Sequence, residues 1–227
     1  MGRAAGTQSL LQPEPSQTVP VDQDDAERLT SLARLIDGWL ARTTSIPADV
    51  QPGSELGDDD LATDYLHLSH MVMTSLIHAV DHLHALRTLL VDVRVLHTSA
   101  DFTLIRSGLE NAATAVWLLA PQDPQERRLR RLRLALADAK DAVEVFDMVK
   151  QPTRSLVERR ADIVRIAARS GIVETALGTR QPGFEAIVRA ASQHVGDGDL
   201  HQLVWKGCSG LAPVFHDDPA DMINLGG

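Results

Sequence analysis

The sequence predicts an all-α protein: a bundle of five to seven helices with a disordered N-terminal tail. Three observations predict it. The first is the 37-residue stretch from Leu61 to His97, which contains no Gly and no Pro. Within it Leu61, Tyr65, Leu68, Val72, Leu76, Val80, Leu83, Leu86, Leu90 and Val93 recur at spacings of three and four, the period of a helix with one buried face. The second is composition. Aromatic residues are 4% of the chain against 44% hydrophobic residues overall, so the core is built from Leu, Val, Ile and Ala, which suits helix packing better than a sandwich of strands. The third is that few runs alternate at period two, the mark of a half-buried strand.

A length of 227 residues suits one domain with tails. The expected division is a disordered tail over 1–23, a single helical bundle over 24–213 and a frayed tail over 214–227. The net charge of −9 argues against bulk attraction to DNA or to an anionic membrane. No apolar run reaches the length that spans a bilayer, and the N-terminus lacks a charged start followed by an apolar core. The expected location is therefore the cytoplasm. The single cysteine, Cys208, permits no intrachain disulfide and reads as a small buried apolar residue. Nineteen of the 22 basic residues are Arg, a usage that fits a bacterial, GC-rich coding bias.

Pro13, Pro15 and Pro20 oppose regular structure at the start of the chain. Asp24 or Asp25 caps a first helix over 24–42, with Leu29, Leu32, Leu35, Ile36 and Trp39 as its apolar face. Residues 43–60 hold Pro47, Pro52, Gly53 and Gly57 and read as a loop. The loop ends in Asp58, Asp59 and Asp60, whose charges suit the positive end of a long helix over 60–96. Thr98 or Ser99 opens the next helix, over 99–120, where Gly108, Ala112, Ala113 and Ala115 leave room for a close neighbour. Asp123 caps a helix over 124–150. Its Leu129, Leu132, Leu136, Ala139, Val143 and Phe146 follow heptad-like spacing. Arg127, Arg128, Arg130, Arg131 and Arg133 crowd the start of that helix, against its dipole, so acidic groups of another helix or of a ligand are expected to face them. Further helices are expected over 153–170, stopped by Gly171, over 183–195, stopped by Gly196, and over 199–212.

Four groupings of side chains can carry chemistry. His78 and His82, four residues apart, can share one helix face and hold a divalent metal with a carboxylate such as Glu110. The competing reading makes them semi-buried packing residues, with no cofactor. Arg106 and Glu110, one turn apart, are expected to form a partly buried polar pair. The arginine cluster presents forks that fit phosphate, although no aromatic residues interleave as they do in many RNA sites. The fourth is Arg189-Ala-Ala-Ser-Gln-His194, an Arg and a His separated by four residues.

At that last pattern the chain resembles the HEPN family of all-helical proteins, many of them RNases of toxin and phage-defence systems. The run from Leu104 to Leu211 is also similar to uncharacterised bacterial helical proteins, some related to that group. It contains RSGLENAATAVWLL, then a Pro, an arginine-rich helix and a Trp separated by three residues from SGLA. The resemblance implies a metal-independent RNase site. In it His194 moves the 2′-hydroxyl proton and Arg189 stabilises the phosphate.

Two functions are thus expected to compete. One is a non-enzymatic interaction or regulatory module, a homodimer or the subunit of a partner protein. It is held through the long histidine-bearing helix or the Leu129 to Phe146 seam. The alternative is an RNase acting on RNA through Arg189 and His194, with a metal-binding bundle using His78 and His82 as a third choice.

Overall fold

The structure is a computed structural model and describes residues 22–44, 50–178 and 181–211. The elements in chain order are α1 (Gln23–Thr44), α2 (Glu55–Ala62), α3 (Leu68–Arg87), α4 (Ala100–Leu119), α5 (Pro124–Met148), α6 (Leu156–Arg169), α7 (Glu174–Leu177), α8 (Phe184–Val195) and α9 (Leu200–Leu211). A π-helical segment, Thr88–Val93, continues α3. Every regular element among the described residues is helical, and the fold is all-α. Apart from its last residues, which enter α1, the tail expected over 1–23 lies outside the described residues, as does the tail expected over 214–227.

The stretch expected as one helix over 60–96 turns a corner instead. It is divided between α2 and α3, and α2 begins at Glu55, inside the expected loop. Thr63 ends α2 by folding its hydroxyl back onto the Asp59 carbonyl, 2.9 Å away. Asp64 then takes a left-handed backbone, φ 55°, where a glycine is usual. The start of α3 is capped from outside itself. The Asp60 carboxylate accepts the Ser69 amide at 2.9 Å and the Ser69 hydroxyl at 2.5 Å. Leu61 and Tyr65, expected on the buried stripe, are exposed, as are Leu76 and Val93.

Several other ends follow local signals, although Ser99 makes no side-chain cap hydrogen bond at the start of α4. Asp123 accepts the Gln125 amide at 2.9 Å, with Pro124 in the first turn of α5. Ser155 and Glu158 form a reciprocal capping box on α6. Gly171 (φ 74°) and Gly196 (φ 88°) terminate α6 and α8 in the left-handed conformation.

Two apolar clusters hold the bundle together, and α5 is the wall between them. On one side Leu134 joins Leu68 and Val72 of α3, Ala113, Trp117 and Leu118 of α4, and Ile187 and Val188 of α8. On the other, Leu132, Ala135 and Ala139 meet Ile163, Ile166 and Ala167 of α6 and Leu177 of α7. α4 packs mainly on α3, with α8 and α9 on its remaining sides. The approach of α3 is close at Gly108, where a Cβ would sit 3.4 Å from the Leu83 side chain. α1 lies on α3 through Ala33, with its first two turns largely exposed.

Candidate functional site

Two of the five arginines opening α5 find their acidic company in α2. Asp59 is fully buried, and its two carboxylate oxygens take Arg127 Nε at 2.6 Å and Arg128 Nε at 2.7 Å. Arg127 also donates to the Pro121 carbonyl at 3.0 Å. Arg130 bonds Glu126 at 2.8 Å and the Trp117 carbonyl at 2.6 Å, its guanidinium 4.7 Å above the Trp117 ring. Arg131 donates to the His67 carbonyl at 3.1 Å, and Arg133 to the Ala176 carbonyl at 2.8 Å. Burial lowers the Arg131 pKa, against the opposing pull of Asp138 and Asp60. Arg127, Arg128 and Arg131 thus pin the α2–α3 corner to α5, whereas Arg130 ties α5 to α4 and Arg133 ties it to α7. Each of the two Asp59 contacts is a charge-assisted hydrogen bond, the kind that offsets the burial of a polar group.

Arg106 and Glu110 are brought together, with Nε and Oε1 2.8 Å apart and the glutamate side chain 14% exposed. A third member comes from α9. Trp205 Nε1 donates to the same Oε1 at 2.7 Å, and the Arg106 guanidinium lies 5.2 Å from the Trp205 ring centre. The trio fastens α9 to α4. Its arginine–glutamate half follows from helical spacing, whereas nothing in sequence spacing indicates Trp205.

Arg189 and His194 both lie on α8, five positions apart, which turns their side chains about 140° from each other around the axis. No hydrogen bond or ion pair joins them. Arg189 instead faces α9, bonding Gln202 at 3.0 Å and Glu185 at 3.1 Å. Glu185 also accepts Gln202 at 2.8 Å and Lys206 at 3.0 Å. The Lys206 and Gln202 hydrogen bonds hold its carboxyl below the usual glutamate range. His194 is exposed near the end of α8. Close by, His201 Nδ1 is 3.0 Å from the Ser192 hydroxyl and Nε2 is 3.7 Å from Asp197. Ser192 is fully buried, so this contact serves to dock the start of α9 rather than to present a nucleophile.

His78 is exposed and His82 half-buried on α3. Among the described residues no group of three His, Cys, Asp or Glu side chains is placed to hold a metal. His67 and His70 form a tilted ring pair 4.6 Å apart at the start of α3. Cys208 is buried, and burial pushes its thiol pKa up.

One exposed apolar surface is the far end of α5. The heptad-like seam divides there. Leu132 and Ala139 are spent in the second cluster, with Leu129 and Leu136 packed against it. Residues 144–150 are exposed without exception. Val145 (57%), Phe146 (39%), Met148 (80%) and Val149 (57%) stand among them. Ala142, Val145, Phe146 and Val149 recur at spacings of three and four, on one side of the helix. Among the described residues no helix is long and apolar enough to cross a membrane. No family model, no curated protein and no solved structure matches the chain.

Proposed function

We propose that this protein is a non-enzymatic interaction module that self-associates through the exposed end of α5. The observation that carries this reading is the cluster of four exposed apolar side chains, Val145, Phe146 and Met148 at the end of that helix and Val149 just after it. A single exposed apolar residue is ordinary. A cluster on an exposed helix end marks a surface that gains by being covered. A second copy is the occupant that fits best, because in a two-fold arrangement the same apolar end covers itself. The seam that binds α6 in its first half then continues into the partner with its last members, Val143 and Phe146.

Light scattering coupled to gel filtration tests the reading. The full chain is expected to run as a dimer at micromolar concentration. Phe146→Asp combined with Met148→Lys is expected to give a monomer with an unchanged helical circular dichroism spectrum. A wild-type chain that stays monomeric, or a double variant that stays dimeric, overturns it. The RNase alternative has a separate readout: His194→Ala relieves growth arrest only if expression of the protein arrests growth through that side chain.

A further inference from the structure

Between α5, α6 and α7 lies a cleft of about 310 Å³. Its apolar floor is Leu136, Leu156 and Leu177, and Arg133, Lys140 and Arg160 stand around it. No carboxylate lines it, in a chain whose net charge is −9. The three cations are held with unequal strength. Arg133 is oriented by two hydrogen bonds from Nε and Nη2 to the Ala176 carbonyl, at 3.1 and 2.8 Å. Its Nη1 makes no hydrogen bond among the described residues. Arg160 lies 3.2 Å from Glu174 and Lys140 lies 3.7 Å from Glu144, both exposed pairs. Such pairs contribute little and exchange readily for a better anion. A further lining residue, Gln181, has a buried side-chain oxygen with no hydrogen-bond partner. A buried acceptor of this kind is normally satisfied.

From this arrangement we infer that the cleft is a binding site for a small amphipathic anion: a phosphate monoester with a compact apolar or aromatic body and a hydrogen-bond donor. The phosphate meets Arg133, Lys140 and Arg160, since guanidinium groups match phosphate oxygens in a planar fork. The body lies on Leu136, Leu156 and Leu177. The donor satisfies Gln181. This site shares no residue with the exposed end of α5, so it stands or falls independently of the self-association reading.

The probe is 4-aminophenyl phosphate, titrated into the full chain by calorimetry, with 4-aminophenol as the uncharged control. Saturable binding of the phosphate and none of the phenol is expected. Lys140→Ala with Arg160→Ala removes two exposed side chains and is expected to weaken binding about tenfold or more, while the melting temperature stays near wild type. Methyl resonances of Leu136, Leu156 and Leu177 are expected to shift on titration. Absence of binding at millimolar probe, equal binding of the phenol, or undiminished affinity in a folded double variant each overturns the inference.

Discussion

Glu110 shows how much one side chain can organise. A single oxygen accepts from Arg106 on its own helix and from Trp205 on α9. Glu110→Ala leaves an indole N–H and a partly buried guanidinium without their acceptor. The expected loss is about 1–3 kcal/mol, measured by urea unfolding. Glu110→Gln, which keeps an acceptor but not the charge, is expected to fall between wild type and the alanine variant. A midpoint unmoved by Glu110→Ala would refute the anchor. Helical spacing makes Arg106 and Glu110 legible as a pair. Trp205 lies 95 positions further on, and no local pattern points to it. Asp59 is the same case in stronger form. Three consecutive acids and five badly placed arginines were each visible as charge, but the match between them is made only by the tertiary fold.

At the scale of elements, the ends that local chemistry sets were readable. Asp123, Gly171 and Gly196 sit where a cap or a left-handed residue is required. The corner between α2 and α3 was not, because no Gly or Pro marks it. It is made by Asp64 in a left-handed conformation and held by distant groups. Arg131 binds the His67 carbonyl, and the Ser170 hydroxyl binds the Ala62 carbonyl at 2.7 Å. A β-branched side chain is far less tolerant of that backbone. Asp64→Val is expected to cost about 1–2 kcal/mol, and Asp64→Gly to remain within about 0.5 kcal/mol of wild type, with relief of strain offset by a freer unfolded chain. Thermal denaturation of the two variants side by side checks this; equal melting temperatures would count against a strained corner. The same corner explains why Leu61 and Tyr65 leave the apolar stripe. After it, the helix axis takes a new direction and the register begins again at Leu68.

For the molecule as a whole, α8 and α9 are joined by charge as well as by apolar contact, so its stability depends on pH. Glu185 titrates below the usual glutamate value because Lys206, Gln202 and Arg189 bind its charged form. Its stabilising contribution is complete above the unfolded-state value, about 4.3, and is lost as pH falls through the lower folded value. Glu185→Gln is therefore expected to melt below wild type at pH 7, with the gap closing under acid conditions. A gap that persists unchanged at low pH contradicts the ionic origin of the clamp. Periodicity and composition were enough to read the all-α class, because the longer helices carry their own pattern, whereas the short α2 and α7 do not. The order of packing was less visible. α5 packs chiefly on α6 and reaches back to Trp117 of α4 through both Arg130 and Leu134.

The bond between Asp59 and Arg127 joins positions 68 apart in the chain. An eight-residue helix such as α2 is too short to persist alone in water. Its charges are secured only once α5 has formed and docked. The order of assembly is thereby constrained: α5 and its neighbours come first, and α2 is recruited afterwards across a long loop closure. In the native state the dependence runs the other way in time. α2 cannot be released without parting the buried Asp59 from the buried Arg127 and from Arg128, so the backbone amides of this small helix share the slow opening of the much larger one against which it lies.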